Sequence, residues 1–227
     1  MPATPEQLFD GLWRWTARHP EWHPGEFGAE VASFALKAGD DAILIDPLLP
    51  PEPGPVLELT DDLVGHSLAI LITIPYHVRS SEELWRRYRD RAEVSIRGHA
   101  AAAKRLEDRS GFRKIEPGAE LPAGVSAHAI GKPRRQEMPL YVPSHRALAF
   151  GDAVVEVDGE LKVWATDLID EQKVRFHRER FNPTLEPLLE LDLDRVLVTH
   201  GQPVLTAARE ALRKALRARP WHPRGER

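Results

Sequence analysis

Apolar residues fall in short runs along this chain, and the runs end abruptly in polar residues. The clearest is Leu68-Ala69-Ile70-Leu71-Ile72-Thr73-Ile74, followed by Pro75-Tyr76-His77-Val78-Arg79-Ser80. A run this apolar suits a strand buried on both faces. Pro75 cannot donate to a ladder and ends it. Polar side chains then appear at the strand's carboxyl end, where sheet-based enzymes commonly place their chemistry. Ser80, with Glu83 three residues on, reads as the cap of a helix over Ser81–Arg91, with Leu84, Trp85 and Tyr88 on its buried face.

The same pattern organises the rest. Residues 5–18 read as a short amphipathic helix or turn, with Thr4-Pro5 at its start. Trp13, Trp15 and Trp22 gather here, and Trp85 is a packing partner for them. We read an aromatic arm over about 1–28 that packs onto the body, with a rim for an apolar ligand as the alternative. The prolines and glycine of His19–Gly25 predict an irregular loop, with His19 and His23 as loop packing rather than ligands. Residues 31–36 and 42–47 predict a hairpin turning at 38–41. Pro50–Pro55 reads as a rigid loop, with strand resuming soon after.

Further on, short strands are expected at 94–97 and 125–130, with helix at 100–107 and a turn at 117–122. Two hairpins follow, one joining 140–142 to 147–150 and one turning at Asp158-Gly159. Residues 185–191 predict a helix, 195–199 a strand, and 206–218 a closing helix with Leu212 and Leu216 on one face. The basic end from Arg217 reads as a frayed tail. No composition break or fixed repeat divides the chain, so 1–227 reads as one α/β domain of sheets covered by helices.

Composition narrows the chemistry. The chain has 227 residues, 42% hydrophobic and 29% charged, as in an ordinary globular protein. A net charge of −4 gives no global field for nucleic acid. No cysteine is present, so thiolate catalysis is excluded and His, Asp and Glu remain as metal ligands. The amino terminus lacks an apolar signal core, and no run approaches the ~20 residues of a membrane span. Neither a membrane nor nucleic acid is expected as a partner, and a cytoplasmic location is.

Four apolar strands end in polar residues: Asp46, His77, Asp152 and His200. A lone strand-end histidine is more often hydrogen-bonded structure than ligand. Repeated placement is the stronger signal, because such junctions can converge from distant parts of a chain. Imidazole and carboxylate suit zinc, iron or manganese.

In this order the segments resemble the metallo-β-lactamase superfamily, from about Val31 to about Leu216. The matching stretches are Ala42–Pro47, the strand entering 75–80, Leu140–Asp152, and Val196–Gly201. The resemblance implies an αββα sandwich, two mixed sheets flanked by helices, with one or two metal ions at the sheet edge and hydrolysis by metal-bound hydroxide. It places His77, Asp152 and His200 on metal positions and Asp46 behind them. The family's His-x-His-x-Asp-His motif falls on Pro75–Ser80, where His77 alone is kept. Arg79 stands in place of the aspartate and Ser80 in place of the last histidine. The segment Gly131–Gln136 lacks the family's middle histidine, and His128 lies upstream of it.

A fixed cation changes the electrostatics. Two unit charges ~4 Å apart at an effective dielectric near 20 interact by roughly 4 kcal/mol, and a dication would feel about twice that. We expect Arg79 to pair with Asp152 or Asp46 and to take over the electrostatic role of the metal. Lys132, Arg134 and Arg135 could join Arg79 in a basic mouth that attracts a small anionic molecule. Tyr76 could line the pocket, with Trp85 in the core.

Three functions remain open. One is a hydrolase with a reduced or mononuclear site on His77, Asp152 and His200, zinc being the expected ion. One is a metal-free, non-catalytic protein of the same fold that binds a small molecule or a protein. One is a metal-free enzyme using His77 or His200 as general base. The aromatic arm offers a surface through which copies could associate.

Overall fold

In the computed structural model, residues 4–23 and 27–225 are described. The chain starts with strands β1 (Glu6–Phe9), β2 (Leu12–Arg18), β3 (Glu30–Ala38) and β4 (Asp41–Ile45). Helix α1 (Gly54–Leu63), strand β5 (Ser67–Ile72), helix α2 (Ser81–Tyr88), β6 (Glu93–Gly98) and β7 (Phe112–Lys114) follow. These seven strands form one sheet in sequential order. Pairing is antiparallel from β1 to β4 and parallel from β4 to β7.

The second half contributes β8 (Ser126–Ala127), β9 (Leu140–Val142), β10 (Ala147–Phe150) and the hairpin β11 (Val154–Val157) with β12 (Glu160–Val163). It continues through helices α3 (Glu171–Phe176) and α4 (Asn182–Leu185), strand β13 (Arg195–Val198) and helix α5 (Ala208–Arg217). A four-stranded sheet runs β13-β10-β9-β8, with β10 and β13 parallel.

Side-chain alternation builds the layers. On β3 to β5, Phe34, Leu36, Ile43, Ile45 and Leu71 meet Leu140, Val142, Ala147 and Leu197 of the other sheet. Their neighbours Ala35, Leu44, Ile70 and Ile72 face α1 and α2 through Val56, Leu63, Leu84 and Trp85. On the second sheet, Leu148, Phe150, Val196 and Val198 meet Phe181, Leu185, Leu212 and Leu216. The order is helix, sheet, sheet, helix, which is the expected αββα sandwich. Strands covered on both faces explain the unbroken apolar runs. Each fully buried Leu or Ile contributes roughly 1.5–3 kcal/mol.

Several local expectations are corrected. Residues 5–18 form β1 and β2, not a helix; Trp15 points into the core and donates from Nε1 to Leu48 O at 2.8 Å. Strand β2 buries residues on both faces, Leu12 toward one core cluster and Trp15 toward the other, so no simple alternation marks it in the sequence. Helix α1 replaces the strand expected after Pro55, with proline in its first turn. Ser80 does not cap α2, because its hydroxyl accepts from Leu49 N at 2.9 Å. The strand at 125–130 shortens to β8, and the helix at 185–191 starts at Asn182 and tightens into a 3₁₀ turn over Glu186–Glu190.

The described part of the basic tail is bonded to the body rather than frayed. Trp221 N donates to Val163 O and Ala165 N donates to Trp221 O, each at 2.8 Å, which adds this segment to the edge of β12. Among the described residues, no helix is long and apolar enough to cross a membrane.

Candidate functional site

The site lies where β4, β5, β10 and β13 end. Asp46 follows β4 at φ +48°, and Arg79 follows the 3₁₀ turn Pro75–Val78 at φ +43°. Left-handed backbone at non-glycine residues persists where the surroundings enforce it. For Asp46 they do so on all sides. Its backbone oxygen accepts from Ser33 Oγ at 2.8 Å and from Arg79 Nη1 at 2.8 Å. Its carboxylate accepts from Thr73 N at 2.8 Å and from the Thr73 hydroxyl.

Asp46 also fixes His77. Its Oδ2 lies 2.9 Å from Nδ1, so the ring turns Nε2 toward Asp152, 3.4 Å from Oδ1. His200 Nε2 approaches the same oxygen at 3.7 Å, and Arg134 Nη1 lies 3.5 Å from Oδ2. Below them Glu137, fully buried, accepts from Gly151 N and Ala153 N, each at 3.0 Å, and lies 3.9 Å from Arg134. Glu137 therefore shapes the backbone on either side of Asp152.

Electrostatics set these groups apart. Burial opposes charge on Asp152, but His77, Arg134 and His200 more than offset it and hold its pKa well below the usual range. Burial and then Arg79 depress His77, yet Asp46 and Asp152 prevail and its pKa is raised. His200 goes the other way: burial lowers it to about 4, against the pull of Asp152 and with repulsion from His77, Arg79 and Arg134. Burial pushes Glu137 up to about 7, despite Arg134.

The expected contact of Arg79 is corrected. Its Nη1 donates to two backbone carbonyls, Asp46 O at 2.8 Å and Ala32 O at 3.1 Å, and among the described residues it makes no ion pair with a carboxylate. The guanidinium on Asp152 belongs to Arg134, which also lies over the Trp164 ring at 5.2 Å. The left-handed turn at Arg79 aims its side chain back at the β4 end, and loop 131–137 carries Arg134 into the space instead.

A cleft of about 430 Å³ opens above these groups. Its walls include Tyr76, His77, Arg79, Arg134, Asp152 and His200. Among the described residues of its lining arginines outnumber acids: Arg79, Arg105, Arg134 and Arg224 against Glu21 and Asp152. Phe27, Trp164, Trp221 and His200 pack ring against ring on one side, with centroids 4.7–6.4 Å apart. Tyr76 is 61% exposed at the rim, with Arg105 over its ring at 4.2 Å.

Lys132 and Arg135 are not part of this cleft and line a neighbouring groove. His128 is bonded to Ser126 Oγ at 3.1 Å, outside the cleft, and Trp85 is core. Sequence reasoning missed Glu137, Thr73, Arg105 and His222. A threonine directly after an apolar strand was a readable signal; the others had none.

Among the described residues, no group of three His, Cys, Asp or Glu side chains is placed to hold an ion. Asp152 already faces a guanidinium.

No protein-family model matches the sequence, and no curated protein sequence matches it significantly. Solved structures do. The DIM-1 metallo-β-lactamase exposed to ceftazidime superposes with a TM-score of 0.66 at 14% identity, covering 95% of this chain and 97% of that one. This chain has the metallo-β-lactamase fold. The mono-zinc form of the metallo-β-lactamase FIM-1 from Pseudomonas aeruginosa gives 0.64 at 12% identity, covering 95% of each chain. A chemotaxis sensor, ODP, in a peroxy diiron state gives 0.62 at 12% identity, covering 97% of this chain and 96% of that one. Of these similar structures, then, one is a mono-zinc form and one a diiron species, and the chain here has an ion-paired cluster at its strand ends.

Proposed function

We propose that this chain uses the metallo-β-lactamase fold as a metal-free binding protein for a small organic anion. The observation that carries this is the pairing of Asp152 with Arg134 at 3.5 Å, beneath a cleft whose described lining holds more arginines than acids. A guanidinium cannot lose its proton in a protein, so the charge it supplies is permanent. Metal binding at Asp152 would have to displace that cation and bear its repulsion. A ligand with a carboxylate, sulfonate or phosphate group meets the opposite field. Phe27 and Trp164, packed edge to face, offer an apolar wall for the rest of it.

Metal analysis of protein purified after growth with added zinc, iron and manganese tests the reading. Metal content well below one ion per chain is expected. One equivalent of a metal, lost in His200→Ala, would overturn it in favour of a mononuclear hydrolase.

A second reading has one observation behind it. Asp46 orients His77 as a carboxylate orients a catalytic imidazole, leaving Nε2 toward the cleft. Metal-free acid catalysis by protonated His77 would appear as turnover of chromogenic esters that is lost in His77→Asn and insensitive to chelators.

A further inference from the structure

On the far side of loop 131–137 lies a groove of about 740 Å³, larger than the cleft. It runs between this loop and α3, and Thr166 borders both cavities. Loop 131–137 sends Arg134 into the cleft, and Lys132 and Arg135 into the groove.

The charges in the groove are unevenly matched. Asp167 is paired with Lys173 Nζ at 2.7 Å. Asp170 caps α3 by accepting from Lys173 N at 2.7 Å. Lys132 and Arg135 have no such carboxylate among the described residues, and both are exposed. Two cations are thus left facing a concave surface whose acids are already engaged. Leu168, Phe176 and Pro133 supply apolar wall between them. A volume of this size fits the range of small-molecule sites, roughly 300–1,000 Å³.

Just beyond Phe176, the last residue of α3 in the groove wall, the helix changes form. Helix α3 runs on into a π-helical turn, His177–Phe181. Such turns recur at functional sites, because they give up regular hydrogen bonding locally. Here the turn buries His177, whose Nδ1 bonds Lys173 O at 3.0 Å and whose Nε2 has no partner among the described residues.

We infer that this groove is a second binding site for a small organic anion, its charged group held by Lys132 and Arg135 and its apolar part against Leu168 and Phe176. The site is separate from the cleft, and its occupant meets the loop that holds Arg134 in place.

Titration calorimetry with naphthalene-1-sulfonate tests this on the full chain. The substitutions are Lys132→Gln with Arg135→Gln for the groove, and Arg105→Gln with Arg224→Gln for the cleft rim. None of the four lies in the core, so folding is retained. Two equivalents are expected to bind the unaltered protein. The groove pair should weaken one of them by about tenfold or more and leave the other. If both equivalents, or a single one, respond only to the rim pair, the groove is not a site and the cleft reading stands. A single equivalent that responds only to the groove pair upholds this inference and overturns the cleft reading. No binding, or equal binding of uncharged 1-naphthylmethanol, overturns both.

Discussion

Asp46 Oδ2 lies 2.9 Å from His77 Nδ1, and this pair sets the direction of everything above it. The imidazole can turn only its Nε2 toward Asp152 once Nδ1 is committed. Asp46→Asn keeps the shape but replaces one acceptor oxygen by a donor. Thr73 N, the Thr73 hydroxyl and His77 all compete for that carboxylate. A loss of roughly 2–4 kcal/mol is expected in chemical denaturation, since a buried group is left badly paired. The His77 pKa should also fall in an NMR titration, because Asp46 is part of what raises it.

The two site histidines should respond to pH with opposite signs. His200 falls from 6.5 to about 4 on folding. Its contribution to stability is therefore present above pH 6.5 and is lost as pH falls toward 4. His77 is raised on folding, so its contribution is full below pH 6.5 and is lost as pH rises through its folded value. Against His200→Gln, the parent protein should lose about 2 kcal/mol more between pH 7 and pH 4.5. Against His77→Gln, the parent should lose its advantage on the alkaline side. Comparing each variant with the parent cancels the opposing effect of Glu137, which is common to both.

Arg134→Gln should leave Asp152 and Glu137 facing each other across a buried space. Removing one partner of a buried ionic cluster costs about 3–5 kcal/mol. Arg134→Lys should recover only part of this, because an ammonium lacks the planar fork and the stacking on Trp164. Denaturant midpoints of the three proteins give the comparison.

Gly201 lies beside His200 with φ at +93°, and a Cβ there would meet Glu156 O at 2.4 Å. Both strain and overlap oppose any side chain. Gly201→Ala is expected to destabilise by roughly 2 kcal/mol or more and to displace His200, seen as a change in its imidazole NMR signals.

The strands β4, β5, β10 and β13 were legible because each is an apolar run with a sharp polar stop, and those stops gave Asp46, His77, Asp152 and His200. Their convergence follows from topology: β4 and β5 are parallel neighbours, as are β10 and β13. The identity of the guanidinium on Asp152 was not legible. Arg79 occupies the motif position, but a single left-handed residue redirects its side chain, and no sequence pattern marks φ +43° at an arginine. Glu137 and Arg134 come from an irregular loop, where hydrophobic periodicity carries no information. Strand β2 was not legible because it buries residues on both faces, Leu12 on one and Trp15 on the other, so no period-two pattern marks it.

The carboxy-terminal segment is part of the cleft. Pro223 and Arg224 stand in its lining, His222 is buried beside them, and Trp221 is fastened to β12. Anything fused just beyond these residues would begin close to the opening. An affinity handle at that end would bring its own charges to the mouth, and a polyhistidine handle would also bring metal to a site whose metal content is in question. Purification for the experiments above should therefore use an amino-terminal handle that is cut away before any ligand is added.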